Sequence, residues 1–321
     1  MAITSSGQIK MSEIAVEFGV DAAEPNQSLT GFSEGSFGTI NTNSSSYPDG
    51  EAPHAMSEFY SYDHDAAPAY SNTRYYQNDG TGDYIDCTTT TAPFNMNTTQ
   101  DLSFSVWLRH TGSKANQQIW NFSNTTANGN NRIFLTYSAS LNRLIARYRS
   151  NSVNFDRQFA LHDNSGATGI SSSSNGWSNT SRGTVNSDNF CMITITYDAS
   201  QSTAASAFKL YWNATECTST AVSNNGTRTD LGGATKGRIG EQVHQTDSAG
   251  NATLDYDELK IYNKVLSSSE VTTLYNSGTI ADSTQTVSSG LITEWTFDDN
   301  TVNDSNSSYT CTKVNGVITA Y

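Results

Sequence analysis

The sequence predicts an all-β protein built around an antiparallel sandwich, and three observations carry that prediction. Short segments with strict two-residue alternation recur through the middle of the chain. Only 35% of the 321 residues are hydrophobic, while Ser, Thr, Asn and Gly abound, a profile that suits short strands joined by polar turns. Finally, the stretch 254–278, LDYDELKIYNKVLSSSEVTTLYNSG, reads as a strand that runs into one short, capped helix.

Taken in order, residues 1–66 stand apart. Two related phrases occur there, GQIKMSEIAVEFG (Gly7–Gly19) and EAPHAMSEFYSYDHD (Glu51–Asp65). Each carries Met-Ser-Glu followed by an apolar residue, which reads as a Ser cap opening a helix of one or two turns. The connection between them, Gly31–Gly50, is rich in Gly, Ser and Asn, and the segment is expected to be too poor in apolar residues to fold without a partner.

Residues 67–278 are the expected sandwich. After the turn-rich YYQNDGTGDYIDC (Tyr75–Cys87), Leu102, Phe104, Val106 and Leu108 alternate with Ser103, Ser105, Trp107 and Arg109. Ile133, Leu135 and Tyr137 alternate likewise, as do Leu144, Ala146 and Tyr148, then Cys191, Ile193, Ile195 and Tyr197, then Phe208, Leu210 and Trp212. Arg238-Ile239-Gly240 precedes the closing element. There Leu259 and Ile261 alternate with Lys260 and Tyr262. Ser267 stands as N-cap with Glu270 three residues on, Leu266 and Val271 form a staple, and Gly278 supplies the stop. In the extension 279–321, Leu291, Trp295 and Phe297 are expected on one face of an additional strand, which completes the sandwich or pairs with a neighbouring subunit.

The closing stretch resembles that of the LamG-like family of concanavalin A-like lectin jelly rolls, where a strand patterned I-D-E-V-x-I-Y-N-x-x-L-S leads into a small helix. Tyr256, Asp257, Glu258, Leu259, Ile261, Tyr262, Asn263, Leu266 and Ser267 follow that pattern in order. The Cys191–Tyr197 strand, ending in Tyr197-Asp198, and the Ile239-Gly240 pair resemble further family strands. The resemblance implies an antiparallel jelly roll with a short helix after its last family strand. The two N-terminal phrases resemble the first parts of tail-fibre and other virion proteins of tailed phages. That implies a virion structural protein (tail fibre, tail tip or decoration), assembled in the host cytoplasm and carried outside on the particle. Its partners would be other virion proteins through the small irregular N-terminal attachment segment, further copies of itself in a homo-oligomer, and host surface polysaccharide. A secreted or surface adhesin is the alternative, and a polysaccharide hydrolase the third.

Composition excludes some classes. A formal charge of −14 argues against nucleic acid, which needs a basic footprint. MAITSSGQIK lacks the apolar core of a signal peptide, and no run approaches a membrane span. Four cysteines, Cys87, Cys191, Cys217 and Cys311, have no CxxC spacing, so zinc is unsupported; two disulfides and buried free thiols both remain open.

Catalysis is not expected. Sandwich glucanases place three carboxylates at i, i+2 and i+4 of one strand, whereas Asp255 and Asp257 are followed in register by Leu259, and strict alternation turns Glu258 to the opposite face. No G-x-S-x-G elbow exists, and the five histidines lack a partner pattern. The oxygen-rich turns holding Asp79 and Asp163 read first as Asx-rich turns that satisfy their own backbone, with calcium as the alternative and no other cofactor implied. Two features read as contact sites. Arg143, Arg147 and Arg149 share one face of a strand, with Arg132 and Arg157 close in sequence; they either pair with local Asp and Glu or meet an anionic glycan or a neighbour's carboxylates. The polar stretch Asp156–Asn189 is long for a loop. It carries Trp177, with Asp163, Asn164 and Arg182 nearby, and the indole either contacts a ligand or subunit or plugs one end of the sandwich.

Overall fold

The computed structural model describes residues 3–21, 27–41, 44, 46–64, 73–111, 116–125, 130–138, 141, 143–160, 170–173, 176–179, 190–217, 222–243, 252–276, 280, 287–304 and 306–320; at 110, 160, 170–173 and 176–179 it describes the backbone alone. The chain divides into two compact units, Met1–Ser71 and Asn72–Tyr321.

The first unit holds helices α1 (Met11–Glu17) and α2 (Leu29–Ser33) and a 3₁₀ turn, Met56–Phe59. The Met-Ser-Glu phrases do open helical turns, but serine is not the cap. Lys10 and Ala55 are the N-caps, and the third helical residue reaches back in each case. Glu13 accepts the Lys10 N–H at 3.0 Å, and Glu58 accepts that of Ala55. A carboxylate three residues in satisfies an orphan N–H whatever side chain stands at the cap. The next residue of each phrase, Ile14 and Phe59, is fully buried in one cluster with Ile3, Phe18, Phe32 and Tyr62. Phe18 stacks on Tyr62 at 5.3 Å and meets Phe32 at 5.2 Å. The expectation that this segment is too poor in apolar residues to form a core is thereby corrected: its large apolar side chains are spread along the segment, yet many of them converge on one cluster.

The second unit is the sandwich. Its strands are β1 (Arg74–Gln77), β2 (Tyr84–Thr88), β3 (Asn95–Met96), β4 (Leu102–His110), β5 (Asn116–Ser123), β6 (Arg132–Ser138), β7 (Arg143–Ser150), β8 (Val153–Ala160), β9 (Ile170–Ser173), β10 (Gly176–Asn179) and β11 (Cys191–Tyr197). After helix α3 (Ala204–Ala207) come β12 (Phe208–Trp212), β13 (Thr215–Glu216), β14 (Val222–Asn225), β15 (Gly232–Gly233), β16 (Lys236–Ile239) and β17 (Leu254–Tyr262). Helix α4 (Ser268–Tyr275) then precedes β18 (Leu291–Trp295), β19 (Thr310–Val314) and β20 (Val317–Ala320). One eight-stranded sheet runs β13-β12-β11-β4-β17-β1-β20, with β18 also on β17; the other runs β14-β8-β7-β6-β5-β16-β2-β19. Every pairing among them is antiparallel. The all-β sandwich is therefore what the sequence predicted.

Each alternating apolar set faces the partner sheet, as two packed sheets require. Phe104 of β4 stacks on Trp120 of β5 at 4.0 Å, and Tyr148 of β7 on Tyr197 of β11 at 5.8 Å. Gly237 makes room for such packing, because a Cβ there would sit 2.6 Å from the Phe122 ring. Gly240, at φ +92°, ends β16 where any side chain would strike Asn78. The Cys87–Cys311 disulfide joins β2 to β19 where the two residues pair in register. Cys191 and Cys217 are buried free thiols.

Helix α4 covers the outer face of the first sheet. Ser267 Oγ accepts the Glu270 N–H at 3.3 Å, and Glu270 accepts the Ser267 N–H at 2.9 Å, the expected box. Leu266, Val271 and Leu274 join Trp107, Met192, Tyr211 and Tyr262 in a second cluster, with Tyr275 stacked on Trp107 at 5.7 Å. The helix ends at Asn276, which takes the left-handed φ of 44°; Gly278 lies outside the described residues. Trp295 of β18 and Phe297 just beyond it enter the main core, but Leu291 does not. A register shift at Ile261/Tyr262 pairs Leu291 with Tyr262, on the side of the α4 cluster. Thus the extension does place its strand on β17 of the same chain.

Candidate functional site

Strand β17 is buried along its whole length, and it changes neighbour midway. Tyr256 and Asp255 pair with β1, whereas Leu259 to Tyr262 pair with β18. A bulge between Asp257 and Lys260 accommodates the change, with Glu258 at a left-handed φ of 48°. The extra residue lets Leu259 and Ile261 follow Tyr256 into the core and turns Glu258 to the side of Lys260. The expected opposite orientation of Glu258 is therefore corrected: strict alternation fails at a bulge.

The carboxylates so gathered are all committed. Asp255, wholly buried, meets Arg109 at 2.7 Å. Burial raises its pKa, and the Arg109 guanidinium opposes that shift. Arg109 itself lies over the Tyr75 and Phe190 rings at 4.6 and 4.8 Å. Glu258 pairs with buried Lys260 at 2.6 Å, Asp257 accepts the Glu258 N–H at 2.9 Å, and Glu294 stands opposite Lys260 in the register. Asp257, Glu258 and Glu294 are each almost fully buried.

The turn holding Asp79 folds on itself. Asp79 accepts the Thr81 N–H at 2.8 Å and donates its own N–H to Asp83 at 2.9 Å, while Asn78 bonds Gly80 and Asp83. Burial, followed by the neighbouring Asp79 carboxyl, raises the Asp83 pKa against two backbone donors. Among the described residues no group of three or more His, Cys, Asp or Glu is arranged to hold a metal. Asp163, Asn164 and Arg182 lie outside the described residues. Trp177 falls in β10, opposite Ser172 of β9, and the structure describes its backbone alone. The expected long loop is shorter than 156–189, because Asp156–Ala160 continue β8 and residues 170–179 contain a hairpin. Phe155 and Phe159 face the core there; the polar residues between them look like loop in the sequence.

The remaining expected residues stand on the outer face of the second sheet. Arg143, Arg147 and Arg149 do share one face of β7, and the register carries that face across the sheet. One transverse row reads Asn224, Asp156, Arg147, Phe134, Asn121, Arg238, Asp86, Thr312. Its charges cancel locally: Arg147 meets Asp156 at 2.5 Å, and Arg238 meets Asp86 and Glu241 at 2.8 and 2.7 Å. Arg143 donates to Gln158 at 3.0 Å.

The adjacent row reads Asn154, Arg149, Arg132, Ser123, Lys236, Thr88, Thr310, with three cations and no carboxylate. Arg132 is 5% exposed. It lies over the Phe134 ring at 4.2 Å and donates to Gln242 at 3.1 Å. Burial, then the like charges of Arg149 and Arg147, push its pKa down to about 9. Arg157 is not part of this face. It bonds the carbonyls of Ala205 and Phe208 at 2.8 and 2.7 Å and so ties β8 to the first sheet. Lys236 carried no signal in the sequence, because only the β5–β16 register brings it into line with the arginines.

These features define a two-sheet antiparallel β protein with buried, paired carboxylates and a cationic outer face. The chain belongs to the concanavalin A-like lectin/glucanases superfamily, whose family model matches residues 79–272. No curated protein matches it. Solved structures similar to it include a candidate carbohydrate-binding protein from Bacteroides ovatus, 12% identical over 79% of this chain and 61% of that one, with a TM-score of 0.47. Also similar is a heptameric pentraxin from Limulus polyphemus, 10% identical over 64% of this chain and 84% of that one, with a TM-score of 0.42. A sialidase from Streptococcus pneumoniae is 13% identical over 62% of this chain and 27% of that one, with a TM-score of 0.42. The chain thus spans less than two thirds of the Bacteroides ovatus protein.

Proposed function

We propose that this protein is a non-catalytic carbohydrate-binding component of a tailed-phage virion. The superfamily unites lectins and glucanases, and one observation supports the non-catalytic reading for this chain. The carboxylates of β17 and its neighbour β18 are buried, and those of Asp255 and Glu258 are held in ion pairs at 2.7 and 2.6 Å. Glycoside hydrolysis needs two accessible carboxyl groups flanking the scissile bond. Binding needs only a face, and the second sheet offers a polar one.

The virion part of the reading rests on the two Met-Ser-Glu phrases and on the unit they build, whose core is its own. That unit would dock on another virion protein and present the sandwich to host surface polysaccharide, with the particle carrying the protein outside the cell. The test has two arms. Full-length protein should bind glycans on an array and release no reducing sugar from bacterial or algal polysaccharides; hydrolysis abolished by Asp257→Asn would refute the non-catalytic reading. Deletion of residues 1–66 should leave a folded sandwich that no longer enters particles, and full incorporation of the truncated form would refute the attachment role.

A further inference from the structure

Resting on the carbohydrate-binding reading, we infer that the row Arg149–Arg132–Ser123–Lys236 on the outer face of the second sheet is a recognition track for the oxyanion of an acidic sugar. The chain carries a net charge of −14, yet this row gathers three cations from three different strands with no carboxylate among them. The neighbouring row shows the opposite treatment, since Arg147 and Arg238 each have a carboxylate within 2.8 Å.

Burial makes the contrast matter. A guanidinium taken out of water without a counter-charge is strongly disfavoured. Arg132 is in that position, and the Phe134 ring beneath it returns only part of the loss. The Nε–H groups of Arg132 and Arg149 have no partner among the described residues. A second, independent sign lies on β5. Asn121, two residues from Ser123 on the same face, is fully buried, and neither its amide nitrogen nor its amide oxygen is bonded. A buried amide with both ends free is costly and is ordinarily satisfied by something. A bound oxyanion with its accompanying hydroxyls or water supplies an acceptor for the guanidiniums and both donor and acceptor for the amide.

Arg149 and Lys236 are half-buried, so the two ends of the track are reachable, about 14 Å apart across three strand spacings. That span admits more than one sugar residue. Carboxylate and sulfate ester share the chemistry a guanidinium fork reads, and the experiment distinguishes them. Binding of the full chain to polygalacturonate, dextran sulfate and neutral dextran is measured by affinity electrophoresis at low and high salt. One or both acidic polymers should bind, salt-sensitively, and dextran should not; the stronger acidic polymer identifies the oxyanion. Arg149→Gln with Lys236→Gln should weaken that binding at least tenfold without changing the melting temperature, Arg149→Lys should retain most of it, and Lys209→Gln on the first sheet should leave it unchanged. The proposal is overturned if neither acidic polymer binds, if dextran binds equally well, or if Lys209→Gln matters as much as the row variant. The glycan array judges carbohydrate binding separately, so neutral glycans bound there while neither acidic polymer binds would sink the track and leave the broader reading standing.

Discussion

Replacing Cys87 and Cys311 together by alanine tests what holds the C-terminal strands in place. The bridge spans a sequence separation of 224 residues, so in the unfolded chain it closes nearly the whole β unit into one loop. The chain-entropy relation, with that loop length, gives about −18 cal/mol/K, or about 5 kcal/mol of stabilisation at 25 °C. Loss of the two buried sulfur atoms adds a smaller cavity cost in the same direction. Urea unfolding of the oxidised protein and the variant, followed by tryptophan fluorescence, reads the difference directly. A shift in midpoint with an unchanged slope means that the whole sandwich has lost stability. A drop in slope as well means that β19 and β20 already leave the native state. Oxidised protein whose non-reduced peptide map shows free thiols at Cys87 and Cys311, or a variant within about 1 kcal/mol of the parent, would refute the reasoning.

Phe104→Ala removes one half of the stacked pair that joins the two sheets, and should cost about 3–5 kcal/mol in the same assay; a cost near zero would mean the ring is not part of a packed core. Lys260→Met leaves buried Glu258 without its cation and should destabilise by about 3–5 kcal/mol, whereas an unchanged midpoint would contradict the pairing. Asp83 should show a pH signature. Its folded pKa is raised above the unfolded value, so its ionised form costs stability at neutral pH and the cost disappears as pH falls through the folded pKa. Asp83→Asn should therefore be more stable than the parent at pH 7, and the two should converge in acid; a difference that widens on acidification would reverse the assigned direction.

Much of the sandwich was legible because its strands obey one rule. Phe104 and Val106 face a core while Ser103 and Ser105 do not, and a two-residue period needs no knowledge of neighbours. The α4 cap was legible for the same reason, since Ser267 and Glu270 act over a single turn. What stayed hidden depends on partners far away in sequence. The bulge at Glu258 exists because β17 trades β1 for β18, and nothing local to Asp257-Glu258 announces that exchange. The alignment of Arg132 with Arg149 was hinted at by closeness in sequence, but Lys236 joins them only through β5. Asp156 looked like the start of a loop, because a buried carboxylate is invisible until its arginine is known. The serine of each Met-Ser-Glu phrase misled for a simpler reason: the glutamate alone can close the first turn.

The hairpin of β19 and β20 has a bearing on how the protein is made. β19 pairs with β2 in one sheet, and β20 pairs with β1 in the other. Residues near the start of the β unit therefore wait for residues 310–320 to leave the ribosome. In the interval β2 has only β16 beside it and β1 has only β17, which itself emerges late, so both present unpaired backbone to solvent. Completion of both sheets thus waits for residues 310–320, and a nascent chain stalled before residue 310 is the species most exposed to wrong partners.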